Sequence, residues 1–389
     1  MKKGFYFNRQ TEKACNSVWN PSKRWSIFTH HIISLRDGFK FHYICNDASH
    51  DPSKPAQPLV IFIHIKSATI IVVDLPGHGA SDCPKEYTAT DILGLLAEFI
   101  LTVRKQHGHT GPKRKKTVIV AQGCGCILAM RLAAEAPELA DRFILSNGPV
   151  ALYPRPSGAD MILIWTNSKP LARHDPIKHQ THTETHTHPP KTTSAFPNIL
   201  APIILEANKD LFPILKQAWM IGYVFAFQLP MPLPIYLGTT RHSASLKCMA
   251  GSLGPSRAEY QTQTEQGATY PISIRSSSDF QNMVQYYRGE FDQAPWHKSS
   301  NLIADLESVS HKSTQRIECC GHGRRPKHAL QTKATIIWGM EDMFLDPDLS
   351  LGEISDYLVA GSQWAVRGEE EGIEDVVRGS YPEVIVERT

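Results

Sequence analysis

The chain has 389 residues, 41% of them hydrophobic and 20% charged, enough apolar material for one large globular core. Lys and Arg total 41 against 38 Asp and Glu, and the net charge of +3 gives no overall pull towards nucleic acid or an anionic membrane. Eight cysteines without framework spacing, behind an N-terminus that lacks an apolar signal core, point to reduced thiols and a cytoplasmic protein.

In chain order, "LVIFIH" (59–64) and "TIIVVDL" (69–75) are predicted strands, rich in β-branched residues. "ATDILGLLAEFILTVRKQ" (89–106) carries its apolar residues at helical spacing. The basic cluster "KRKK", Lys113 to Lys116, reads as a solvated loop ahead of the strand "TVIVA" (117–121). A helix, "CILAMRLAAEA" (126–136), and a strand, "RFILSNGP" (142–149), follow. Strands alternating with helices predict an α/β fold with a mostly parallel sheet.

Residues 168–193 are rich in Thr, His and Pro, have no apolar period, and are expected to be disordered. His182, His186 and His188 lack a carboxylate or thiolate partner on a rigid element, so no metal site is predicted there. "AWMIGYVFAFQLPMPLPIYLG" (218–238) is apolar, but three prolines cut it too short to span a bilayer. It is expected to wall a pocket, with Trp219 and Phe227 against a small apolar molecule, rather than to insert stably in a membrane. The sheet is predicted to resume at "ATIIWG" (334–339), followed by the helical "LSLGEISDYLV" (349–359). The implied division is a core from 1–150 and 330–389, a low-complexity segment over 151–195, and a helical lid over 196–329.

The stretch "TVIVAQGCGCILAMRLAAEAP" (117–137) runs strand, sharp turn, helix, which is the context of a nucleophile elbow, G-x-Nuc-x-G. Ala121 and Gly125 supply the small residues, and the reactive position is Gly123, which has no side chain. Cys124 stands one residue late and is expected to point away from the exposed position.

These segments resemble the α/β-hydrolases, and within them the epoxide hydrolase-like branch. "VVDLPGHGASD" (72–82) resembles the family's turn after the fourth strand, and Gln122–Gly123–Cys124–Gly125 is similar to its H-D-W-G. "YVFAFQLP" and "VQYYRG" resemble two lid segments, and "IIWGMEDMFLDP" resembles the strand end that carries an acid. The resemblance implies an α/β-hydrolase fold with flanking helices and a helical lid insertion, no cofactor, and a small apolar epoxide or ester as substrate. It further implies that an Asp at the elbow attacks the epoxide while Tyr223 and Tyr287 hydrogen-bond the opening oxygen. Asp342 would orient a His that activates water.

Three departures accompany the resemblance. No nucleophile stands at Gly123. Only Ile65 to Ala68 separate two strand runs where the family has His-Gly-x-Pro and a helix, a link expected to be too short for parallel neighbours. In this fold the order is nucleophile, acid, His, yet no His follows Asp342; His322 and His328 precede it in a basic loop. The joins at Ile65–Lys66 and Gln363–Trp364 read as lost blocks. The expectation is therefore an inactive or nearly inactive hydrolase-like chain, with a non-catalytic ligand-binding protein as the rival. A dinucleotide-binding domain is a further rival, but it would need a small residue where Leu128 stands.

Overall fold

A computed structural model of the chain describes residues 28–46, 58–63, 69–111, 114, 116–148, 280–288, 294–309 and 329–339, with shorter stretches within 216–234 and 342–367. The low-complexity segment 151–195, with its histidines, lies outside the described residues, as do His322 and His328.

Strands β1 (Thr29–Ser34) and β2 (Lys40–Cys45) form an antiparallel hairpin, and β2 lies antiparallel to β4 (Thr69–Val73). The remaining strands are β3 (Leu59–Ile63), β5 (Thr117–Gln122), β6 (Arg142–Ser146), β7 (Ala334–Gly339) and β8 (Gln363–Arg367), all joined in parallel. The described residues form one eight-stranded sheet in the order β1-β2-β4-β3-β5-β6-β7-β8. The mostly parallel sheet expected from the sequence is present, and segments far apart in the chain complete it.

One expectation fails. β3 and β4 are direct parallel neighbours, with Leu59 opposite Thr69 and Phe62 opposite Val72. The reason is strand length. Returning from Ile63 to the level of Leu59 takes about 13 Å along the sheet, plus about 5 Å sideways. The six Cα steps from Ile63 to Thr69 can reach about 20 Å, so five-residue strands need no helical crossover. The Gln363–Trp364 join is likewise continuous: it lies inside β8, whose ladder on β7 runs from Gln363 opposite Thr335 to Arg367 opposite Gly339.

Helix α1 (Ala89–Gln106) begins at Thr88, whose hydroxyl accepts from the Asp91 amide at 3.1 Å and donates to the Asp91 carboxylate at 2.7 Å. Arg104 and Lys105 stand in its last turn, where cations complement the exposed carbonyl end. Ile92, Leu93, Leu96, Phe99, Ile100 and Val103 form its buried stripe. Together with α2 (Gly125–Glu135) it covers one sheet face, in a cluster that includes Phe41, Ile61, Ile119, Phe143 and Ile336. Alternation along the strands sends Val60, Phe62, Ile70, Val118, Val120, Ile144 and Ile337 to the opposite face. Among the described residues, strand side chains and Phe28 make up that second cluster.

Among the described residues the helices that follow are α3 (Gly222–Gln228), α4 (Phe280–Arg288), α5 (Ser300–Val309) and the short α6 (Ile354–Tyr357). Arg288 ties α4 to α3 by donating to the Phe227 carbonyl at 2.7 Å and to the Leu229 carbonyl. No helix among the described residues is long and apolar enough to cross a membrane.

Candidate functional site

β5 ends at Gln122 and α2 begins at Gly125, so Gly123 and Cys124 alone turn the chain at the carboxyl edge of the sheet. Gly123 has φ +56°, in the left-handed region that glycine enters without penalty. Its amide donates to the Ser146 carbonyl at 3.1 Å, and its own carbonyl accepts from the Cys126 amide at 3.0 Å. A Cβ at this position would meet nothing within 4 Å. The turn between β5 and α2 is tight, and Gly123 presents no side chain at it.

Cys124 does not point away, as its place in the sequence suggested. Its thiol donates to the Tyr287 hydroxyl at 3.2 Å, because α4 is seated directly over the turn. Cys126 contributes nothing reactive: it is fully buried, donates to the Ser146 carbonyl at 3.4 Å, and burial pushes its thiol far up. Leu128 is also completely buried.

Tyr287 is half-buried, and its ring lies 5.0 Å from that of Phe227. Gly123, Cys124, Phe227 and Tyr287 are thus brought together. Tyr223 belongs to α3, but its side chain lies outside the described residues. Trp219, expected to wall the pocket, is 87% exposed, while the Phe227 ring lies against Tyr287.

Sequence reasoning missed Tyr286. Its hydroxyl donates to the Pro76 carbonyl at 2.9 Å, and its ring meets His78 and Tyr87 edge-on at 5.0 and 5.4 Å. Burial first, and Tyr87 second, push this hydroxyl well above its ordinary pKa, so it is a fixed donor. The doubled tyrosine in "VQYYRG" carried the signal. Adjacent helical residues point about 100° apart, so one faces the elbow and the other the turn after β4.

Asp342 follows β7. One carboxylate oxygen accepts from the Asn147 side-chain amide at 2.6 Å, and the other from the Leu345 amide at 2.9 Å. Asn147, also missed, has φ +44° at the end of β6, and its carbonyl oxygen accepts from the Gly339 amide at 3.2 Å. Asn tolerates the left-handed region, and "SNG" at a strand end was the available signal. β8 ends at Arg367, and residues 368–389 contain no His.

A second polar group sits at the β1–β2–β4 edge. The His42 Nδ1 lies 2.6 Å from an Asp74 carboxylate oxygen, and the His42 Nε2 lies 2.9 Å from His30 Nδ1. Burial pushes the Asp74 carboxyl up, but the His42 ring and the Ala80 amide outweigh it and hold it below the usual range. Burial, then the neighbouring His42 ring, pushes His30 down to about 4. A cleft of about 540 Å³ opens elsewhere, along α1; Arg36, Glu98, Lys105 and Asp305 line it, and none of the elbow residues does.

Strand order, elbow and the placement of Asp342 decide the architecture. This is an α/β-hydrolase fold. No protein-family profile and no curated protein matches the chain. Solved structures align along most of its length. A structure described as a novel epoxide hydrolase of the α/β-hydrolase superfamily, from metagenomes of hot environments, is 13% identical, with a TM-score of 0.47 over 91% of this chain and 97% of that one. An epoxide hydrolase from Vigna radiata is 14% identical, with a TM-score of 0.41 over 92% and 98%. A membrane phospholipase A, described as a bacterial virulence factor, is 13% identical, with a TM-score of 0.42 over 96% and 92%. Identities this low, with TM-scores under one half, bear on no chemistry.

Proposed function

We propose that this chain is an epoxide hydrolase-like member of the α/β-hydrolases that binds a small apolar epoxide or ester beneath its lid without turning it over. The observation that carries the reading is Gly123, an open left-handed elbow position with no reactive atom. Hydrolysis through an ester needs a carboxylate there, and Gly123 supplies none. What remains suits recognition. The Tyr287 hydroxyl beside Cys124 supplies a polar group and the Phe227 ring next to it supplies apolar contact for a ligand. Asp342 and Asn147 hold the strand ends of β7 and β6 together by their side-chain hydrogen bond.

The test uses styrene oxide with the wild-type chain and with Gly123→Asp. Wild type should bind it saturably and release no glycol. In Gly123→Asp, a carboxylate oxygen bonds to an epoxide carbon as that carbon's bond to the ring oxygen breaks. The ring oxygen takes the Tyr287 proton, which solvent replaces. With no base to hydrolyse the ester, the adduct should accumulate, and intact-mass spectrometry should find the protein heavier by one whole epoxide. Glycol release by wild type, abolished by Asp342→Ala, would overturn the reading, and so would a wild-type chain that binds nothing.

A further inference from the structure

We infer that the cleft along α1 is a second binding site, separate from the elbow, for a short peptide with free ends. Its described lining comes from the turn after β1, from α1 and from α5, and its volume of about 540 Å³ is that of a small-molecule site. Glu98, Leu101, Thr102 and Lys105 follow one another at steps that place them on one face of α1. Asp305, Ser308 and Val309 share a face of α5 in the same way.

Opposite charges stand at the two ends of the cleft. At one end the Arg36 guanidinium is shared by two carboxylates: it bonds to Asp305 and lies 3.6 Å from Glu98, which also accepts from the Arg36 amide at 3.0 Å. Two carboxylates around one guanidinium leave that end negative. About 10 Å further along α1 stands the exposed Lys105 ammonium, which makes no ion pair or hydrogen bond among the described residues. Leu35, Leu101 and Val309 give the cleft its apolar surface. The Thr102 and Ser308 hydroxyls donate to the Glu98 and Asp305 carbonyls, both at 2.7 Å, so their oxygens remain to accept from a ligand. The matching ligand is cationic at one end, anionic at the other, apolar between, and carries N–H donors. An extended peptide gains about 3.3–3.6 Å per residue, so about three residues span the distance. Its ammonium meets Glu98 and Asp305, and its carboxylate meets Lys105. A polyphosphate is a poorer match, because the carboxylates of the described lining equal its cations in number. A nucleobase is poorer too, because no aromatic ring in that lining offers a face to stack on.

This inference stands apart from the ligand reading, since none of the elbow residues lines the cleft. The full chain is titrated with the tripeptide Ala-Leu-Ala, with its N-acetylated form and with its C-terminal amide, and saturation-transfer NMR reads the binding. The free tripeptide should bind saturably, and blocking either end should weaken it roughly two- to fivefold. Lys105→Gln should weaken the free tripeptide by the same factor, leave the amide unchanged, and melt as wild type does. Styrene oxide should not displace the peptide. The absence of saturable binding below about 10 mM would overturn the inference, as would equal binding of the three peptides. A Lys105→Gln variant that still prefers the free carboxylate as wild type does would also overturn it. Displacement by styrene oxide would do the same, assigning the peptide to the elbow instead.

Discussion

Replacing His30 by Phe should flatten the acid limb of the stability curve. The His30 imidazole has an ordinary pKa of 6.5 and is pushed down to about 4 in the folded protein by burial and by the His42 ring. The charged groups that act on it are His31 on its own strand, His42 on β2 and Asp74 just after β4, and Asp74 is the acid that pulls the other way. Because the folded pKa lies below the unfolded one, protonation opposes folding. Stability is full above pH 6.5, declines as pH falls towards 4, and is flat with respect to this group below that. A shift from 6.5 to 4 corresponds to about 3 kcal/mol. Asp74 adds a separate decline at lower pH, since its depressed carboxyl stabilises the fold until it is protonated. Phe keeps an aromatic ring against His42, where the two imidazoles now stack at 5.1 Å, but loses the hydrogen bond to His42 Nε2. The variant should therefore be about 1 kcal/mol less stable near pH 7.5 and more stable than wild type near pH 4.5. Urea unfolding across that range gives both values. Parallel curves, with no crossing, would refute the assignment of the first acid decline to His30.

Gly79→Ala should be among the most damaging single changes. Gly79 has φ +52°, and a Cβ there would lie 1.7 Å from an Asp74 carboxylate oxygen, so the loss should exceed about 3 kcal/mol in urea unfolding. Gly123→Ala carries the same kind of left-handed strain with open space around it, and should cost only about 1 kcal/mol by the same measurement. Arg104 is fully buried and donates to the Glu138 and Leu139 carbonyls at 2.7 and 3.0 Å, tying α1 to the turn after α2. Arg104→Met should strand both carbonyls, lower stability by roughly 2–4 kcal/mol, and show as a lower urea midpoint with unchanged slope.

Much of the sheet was legible because its inner strands are unbroken β-branched runs; β7 occupies the predicted 334–339 without adjustment. Helix α1 was legible from its apolar spacing and begins and ends where the pattern does. β1 and β2 were not marked, because "THHIIS" and "KFHYIC" mix polar and apolar residues, and β2 buries the polar His42 along with Phe41 and Tyr43. The empty elbow could be read directly from Gly123. The direction of the Cys124 thiol could not, since it depends on where a helix 163 residues away is seated. The contact between Asn147 and Asp342 spans 195 residues and leaves no local pattern.

The short β3–β4 link has a consequence for how the sheet assembles. Leu59 pairs with Thr69 on one side and with Thr117 on the other, separations of ten and fifty-eight residues. Closing the shorter loop costs about 1.6 kcal/mol less conformational entropy than closing the longer. Parallel pairs usually form late in folding because a long crossover must be closed first. Here one of them is nearly as local as a hairpin, so β3–β4 can nucleate the sheet and β5 can add to an edge that already exists.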